Sequence, residues 1–269
     1  MKTKPIMIRW FNDACYELKL PNGKGILIDP YIEESKYRLL GSEAVEAADY
    51  IFISHSHFDH VAELGTISEK FDSQIFAGQL SGVELVKNYD IPGYRMNLCG
   101  TGDVFDTGDF VVECFRGKHT NLGSMDRPSH WPELAARGGL DDRSRAVNLI
   151  GSYEYMIYQL TLPSNLKILI WGGGASPSAI RQAESFDPDI TIAQVPREST
   201  DSIARLYANI GGRVIFPHHH EFFLVRGEEG AAVLRETREK LERLAPDTLF
   251  ILPEKGKWYS VYTSVTIEK

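Results

Sequence analysis

Apolar and polar residues alternate along much of this chain with a period of two, the pattern of strands buried on one face, and stretches with helical spacing interrupt it. Residues 6–10 (IMIRW) and 15–20 (CYELKL) read as strands, 21–24 (PNGK) carries turn chemistry, and 25–29 (GILID) is a buried run ending in a carboxylate before Pro30. That succession predicts a hairpin feeding a sheet. Residues 61–70 and 79–88 have helical spacing with a strand at 74–77 between them, and 94–99 and 103–115 read as further strands, with a turn at 106–109 (DTGD). The second half repeats the logic: a long alternating strand at 152–161, a turn at Asn165, a buried strand at 166–171 and a helix opening at Pro177. A strand at 189–193, a helix capped by Ser199 or Thr200 and running through Asn209, a buried strand at 212–216, an amphipathic helix at 229–244 and closing strands at 248–252 and 257–262 complete the chain.

One short strand leads into chemistry. The run IFISHSHFDHV at 51–61 passes from apolar residues straight into His55, His57, Asp59 and His60. In an extended segment the side chains at i and i+2 share a face, so His55 and His57 can grip one cation together, while Asp59 and His60, past the turn, can face a neighbouring one. Three imidazoles and a carboxylate within six residues are donors that zinc, manganese or iron accept, and no core-packing pattern calls for them.

The 269 residues, 43% hydrophobic, suffice for a large core, and the absence of linkers, repeats and low-complexity tracts predicts one domain over 1–269. A formal charge of −8 argues against nucleic acid or an anionic membrane as partner, which clustered Lys and Arg would serve, and leaves a small-molecule substrate; a homo-oligomer is compatible with the sequence. The N-terminal residues hold neither an apolar leader nor a run long enough to span a bilayer, so the expected location is cytoplasmic. Cys15, Cys99 and Cys114, odd in number and set in apolar or strand-like surroundings, read as buried free thiols. Residues 120–148 hold Gly, Pro, Ser, Asp and Arg without sustained period and are expected to form a loop-rich insertion over the site. Between Phe115 and Asn148 six Lys/Arg face four Asp/Glu, a local +2 that reads as a solvated mixed-charge loop more readily than as an anion-docking lid.

The His55/His57/Asp59/His60 string after a buried strand resembles the metal-binding signature of the metallo-β-lactamase superfamily. The resemblance implies an α/β fold, the αββα four-layer sandwich, with up to two divalent metals at one edge, zinc or manganese first and iron as a further candidate. It also implies the rest of the ligand set. His119, at a strand end beside Gly117 and Lys118, stands where the family places the third ligand of the first metal, and His219, in Pro217-His-His-His, stands where relatives end a strand in Pro-x-His. One metal is then expected on His55, His57 and His119, and the other on Asp59, His60 and His219. His130, with no strand to hold it, ranks below His119, and His218 and His220 read as packing or hydrogen-bonding neighbours before proton shuttles. Asp29 either orients a histidine ligand, as an Asp-Pro does in the family, or simply ends a strand.

Two departures from the family stand out. Asn12-Asp13 occupies the place where relatives often carry Gly-His or Thr-His. In 172–174 (GGG), Gly173 stands where most relatives have the aspartate that bridges the two metals, so no carboxylate is expected there and the backbone is expected close to the site. Within the superfamily the chain is most similar to the ascorbate-6-phosphate lactonase-like and metal-dependent hydrolase branch, on its Pro-His-His ending and lack of a lactamase-type cysteine.

The expected activity is a metal-dependent hydrolase, of lactonase or phosphoesterase class, that turns a metal-bound hydroxide on a small anionic ester, lactone or phosphoester, with Asp59 as the catalytic carboxylate that accepts a hydrogen bond from the nucleophile. The competing expectation, motivated by Gly173, is a catalytically degraded member that binds a small ligand or a metal without turnover. An oxygen-reducing di-iron protein would want a carboxylate where His57 stands.

Overall fold

In the computed structural model, which describes residues 4–117, 142–174 and 176–262, the alternation resolves into two sheets with different things on their two faces. The first sheet contains β1 (Ile6–Asn12), β2 (Cys15–Lys19), β3 (Gly25–Ile28), β4 (Tyr50–Phe52), β5 (Gln74–Gly78), β6 (Met96–Cys99) and β14 (Trp258–Val261), ordered β14-β1-β2-β3-β4-β5-β6. The second contains β7 (Val104–Asp106), β8 (Val111–Arg116), β9 (Met156–Thr161), β10 (Lys167–Trp171), β11 (Ile190–Gln194), β12 (Val214–His218) and β13 (Leu249–Phe250), ordered β13-β12-β11-β10-β9-β8-β7. Each sheet is antiparallel on one side and parallel on the other: β3, β4, β5 and β6 run parallel in the first, and β10, β11, β12 and β13 in the second.

Even-numbered residues of the first sheet, among them Ile8, Trp10, Tyr16, Ile26, Ile28 and Phe52, meet Val112, Tyr158, Ile168, Ile192 and Phe216 of the second in one core between the sheets. Odd-numbered residues of the first sheet, such as Leu27, Ile51 and Ile75, turn outward. There they meet apolar residues of α1 (Phe58–Val61), α2 (Leu64–Phe71), α3 (Gln79–Asn88) and α4 (Asp142–Gly151). On the far side of the second sheet, Leu169, Trp171, Ala193 and Ile215 pack under α5 (Pro177–Phe186), α6 (Thr200–Ile210), α7 (Glu221–Leu224) and α8 (Glu228–Leu244). The result is the expected αββα sandwich, and its central strands, covered on both faces, are near-continuous apolar runs such as β3, β4 and β10.

Three departures from the sequence reading have local causes. The strand expected from residue 152 begins at Met156; Glu154 instead turns inward to accept hydrogen bonds from the Leu80 and Ser81 backbone N–H groups at the start of α3. The closing strands do not share a sheet, since β14 pairs antiparallel with β1 and β13 pairs parallel with β12. The expected insertion at 120–148 lies largely outside the described residues, and its end is the helix α4 and not loop; α4 packs on α3 and buries Val147. All three cysteines are buried and free.

Candidate metal centre

The candidate residues gather at the carboxyl ends of the parallel strands β3, β4, β10 and β12. After β4 the chain bends at Ser54 and runs through His55 and Ser56 into α1 with His57, in extended conformation, as its N-cap residue. This turn is held from three sides. Ser54 donates its N–H to Asp29 Oδ1 (2.7 Å) and its hydroxyl to Asp29 Oδ2 (2.6 Å), the Ser56 hydroxyl donates to the Val147 carbonyl (2.7 Å), and the Phe58 N–H to Asn148 Oδ1 (3.2 Å).

So held, His55 turns Nε2 toward His57 Nδ1 at 3.1 Å. On their other nitrogens, His55 Nδ1 lies 3.0 Å from the Ser54 hydroxyl and His57 Nε2 lies 3.0 Å from the Ser152 hydroxyl. The helical turn of α1 then presents Asp59 and His60 toward the end of β12, where His60 Nε2 faces His219 Nε2 at 3.3 Å and Asp59 Oδ1 at 3.9 Å. Donor atoms of Asp59, His60 and His219 all lie within 4.8 Å of one another. The His55 and His60 rings, with centroids 3.9 Å apart, join the two groups into one constellation. His119 and His130 lie outside the described residues.

Two imidazole nitrogens facing each other at hydrogen-bonding distance repel as bare lone pairs, so each such pair calls for something positive between them, a proton or a cation. Four imidazoles and a carboxylate meeting in this way fit a divalent transition metal by donor type. The local fields agree. Burial works to raise the Asp59 pKa, but His60, His219 and His57 outweigh it and hold the carboxyl below its usual range. Burial opposes charge on His60, but Asp29 and Asp59 outweigh it and raise its pKa. Burial and the neighbouring His60 lower that of His219.

Behind the inner shell stand carboxylates. Asp29 Oδ2 lies 2.9 Å from His60 Nδ1, which settles its two sequence readings in favour of orienting a histidine. Asp13 Oδ1 lies 3.9 Å from His219 Nδ1. Asp13, Asp29 and His219 all adopt left-handed backbone, with φ of 45°, 45° and 56°. Asp and His enter that region more readily than most residues, and such sparsely populated conformations collect at functional sites. His218 turns away to the Trp171 carbonyl (3.1 Å), and His220 packs on the Trp10 ring at 4.2 Å between centroids, so both act as neighbours of His219 and not as donors beside it. Burial pushes the His218 pKa well down and takes that of His220 to about 3.

The glycine run after β10 brings backbone close, as expected. A Cβ on Gly172 would stand 1.4 Å from the Tyr155 hydroxyl oxygen and 3.3 Å from the Ser54 Cβ, so the phenol fills the space a side chain would need. Gly173 offers only its carbonyl, which accepts from Trp171 Nε1 (2.9 Å). Ser54, Ser152, Tyr155 and Glu221 were not picked out by sequence. Ser54 could have been, since it sits between the strand and the first histidine; the other three touch the site only through tertiary contact.

Over 248 residues, 91% of this chain and 94% of the relative, the sequence is 24% identical to a metal-dependent hydrolase of Methanoregula boonei. It is 28% identical over 223 residues, 78% of this chain and 73% of the relative, to one of Polynucleobacter asymbioticus. With one of Myxococcus xanthus it is 26% identical over 122 residues, 45% of this chain and 42% of the relative. The match thus spans less than half the length of some curated relatives and nearly all of another. Among solved structures, a metallo hydrolase from Ignicoccus hospitalis superposes with a TM-score of 0.67 at 13% identity, covering 96% of this chain and 99% of that one. A possible metal-dependent hydrolase from Veillonella parvula gives 0.64 at 15%, covering 97% and 100%, and at these identities both speak to fold alone. The model of the beta-lactamase superfamily domain matches residues 7–219, which includes every described candidate residue from Asp13 to His219, and the chain belongs to that superfamily.

Proposed function

We propose that this protein is a metal-dependent hydrolase acting on a small, anionic ester, lactone or phosphoester. The observation that carries the reading is the convergence of two imidazole pairs, His55 with His57 and His60 with His219, on either side of Asp59 at a sheet edge. In this reading His55 Nε2 and His57 Nδ1 hold one divalent cation with His119, and Asp59, His60 Nε2 and His219 Nε2 hold another. When bound, such a cation acidifies water from a pKa of 15.7 toward about 7 and stabilises an oxyanion. The chain's own residues do the rest. Asp59, kept ionised by the histidines around it, accepts a hydrogen bond from the attacking water and fixes its direction. Ser54 and Ser152 hold the rings of His55 and His57 in place, and Asp29 fixes the Nδ1–H tautomer of His60 so that its Nε2 faces inward. An anionic substrate suits a site that lacks the carboxylate at 173 and so carries less negative charge to repel it.

The test combines metal content of protein purified without chelator with turnover across a panel of lactones, carboxylic esters, phosphomonoesters and phosphodiesters, with and without added zinc or manganese. Metal-dependent turnover that disappears in His57→Ala supports the reading. Gly173 keeps a second reading in view: a superfamily member that binds a small ligand or metal without turning it over. Stoichiometric ligand binding with no turnover anywhere in the panel would favour it.

A further inference from the structure

The second departure from the family, Asn12-Asp13, lies at the tip of the β1–β2 hairpin, and the tip reaches across the sandwich to the end of β12. Its contacts there are numerous. The Asp13 carbonyl accepts from the His219 N–H (3.1 Å) and from Trp10 Nε1 (3.2 Å), and the Asp13 N–H donates to Glu221 Oε1 (2.6 Å). The Ser35 hydroxyl donates to Asp13 Oδ2 (2.8 Å), leaving Oδ1 toward His219 Nδ1 at 3.9 Å. Lys255 Nζ stands 3.5 Å from Glu221 Oε1, a cation that offsets two carboxylates this close together. The backbone contacts fix the hairpin tip, and the Ser35 hydroxyl holds Oδ2 so that Oδ1 is left on the His219 side.

The geometry around the facing imidazoles repeats itself. His60 and His219 turn Nε2 toward each other and each has an aspartate on the Nδ1 side, Asp29 at hydrogen-bond distance (2.9 Å) and Asp13 at 3.9 Å, close enough to act through its charge, and both aspartates have the same left-handed φ of 45°. We propose that Asp13 is a positioning residue for His219: its carboxylate holds the Nδ1–H tautomer of that ring, commits Nε2 to the site, and supplies from the hairpin tip negative charge that the chain lacks at Gly173. It does so from behind the ring, because Oδ1 addresses the nitrogen that faces away from His60. A carboxylate behind a ligating imidazole raises its basicity and fixes its orientation, and losing such a partner lowers metal affinity about 10–100-fold. The affinity part of this inference rests on the metal-dependent reading above, whereas the tautomer part concerns the protein alone.

Asp13→Gly and Asp13→Asn separate the carboxylate from the fold. Both residues accept a φ of 45° and both keep the backbone N–H and carbonyl that bind Glu221, His219 and Trp10, and Asn also keeps an acceptor oxygen facing Nδ1. In full-length protein with 15N-labelled histidine rings, stripped of metal, His219 is expected as the Nδ1–H tautomer in the parent and in Asp13→Asn, with that preference lost in Asp13→Gly. Zinc titration against a competing chelator should then show the tighter binding of the parent weakened about 10–100-fold in Asp13→Gly and by a smaller factor in Asp13→Asn, which keeps the acceptor but not the charge. An Nε2–H or unbiased His219 in the parent, or zinc affinity in Asp13→Gly equal to that of the parent, overturns the proposal. Equal losses in the two variants, matched by equal falls in the melting temperature of metal-free protein, overturn it too, since the effect would then be one of folding. If the parent takes up no zinc but shows the Asp13-dependent tautomer, the metal-dependent reading fails and this assignment stands.

Discussion

The two imidazole pairs at the sheet edge are built on different principles. His55 and His57 sit two residues apart on one extended turn, and hydroxyls of Ser54 and Ser152 stand at their outer nitrogens. His60 and His219 are 159 residues apart, come from different sheets, and have the carboxylates of Asp29 and Asp13 behind them. The first pair shares one turn of backbone, clamped by Asp29, Val147 and Asn148, and has neutral hydroxyls at its outer nitrogens. The second is brought together by docking of the sheets, and charge behind each ring holds it to one orientation. The contrast teaches where this site tolerates change: local geometry secures the first pair, and long-range electrostatics secures the second.

Asp59, which serves both pairs, gives the largest expected effect. Asp59→Asn should lower turnover on the best substrate of the panel by roughly 10²–10⁴-fold, and a fall of less than about tenfold would remove it from proton handling. Asp29→Asn strikes the second pair directly and, through Ser54, the turn that carries the first. It keeps the left-handed backbone but replaces a buried carboxylate by a neutral amide, and should weaken zinc about 10–100-fold in a chelator competition, with little change expected if the backing charge is unimportant. Gly172→Ala probes the floor beneath the first pair, where the added methyl meets the Tyr155 hydroxyl; a loss of about 1–3 kcal/mol in denaturant unfolding is expected, partly relieved when combined with Tyr155→Phe.

Acid should act on the β12 end. The pKa of His220 is pushed by burial down to about 3, below its value of about 6.5 in an unfolded chain, so between those values the unfolded state binds more protons and stability falls as pH falls. Metal-free protein should therefore melt at progressively lower temperature below about pH 6.5, and His220→Phe should flatten that slope while keeping a ring against Trp10. The smallest effect belongs to Ser152→Ala. Loss of one neutral hydrogen bond, about 0.5–1.5 kcal/mol, translates to a roughly 2–10-fold change in zinc affinity, and a larger one would mean that the first pair leans on its partners as heavily as the second.

How much of this was legible beforehand follows the same division. His55, His57, Asp59 and His60 stand out because their spacing and the strand before them are local facts, and Asp29 because a strand ends there before a proline. Ser152 leaves no such trace, and Asp13 shows only as a departure from the family with no sign of its partner: each matters through a contact made by packing of distant elements, 206 residues away in sequence for Asp13 and His219 and 95 for Ser152 and His57. The sheets were legible from alternation, but alternation also lured the reading into extending β9 back to residue 152, where Glu154 serves the amides of α3. The helix at Asp142–Gly151 was hidden by the irregular composition before it; it packs on α3 and buries Val147 among the apolar residues outside the first sheet.

That His219 bonds through its own N–H to the carbonyl of Asp13 means that the last described donor is riveted to the first hairpin. A ribosome that has released 200 residues has already delivered four of the five described donors and most of the strands that pack the core between the sheets, yet the second imidazole pair stays incomplete until β12 emerges. Ion capture at full strength would then serve the nascent chain as a seal, set only once its two halves have closed in the correct register.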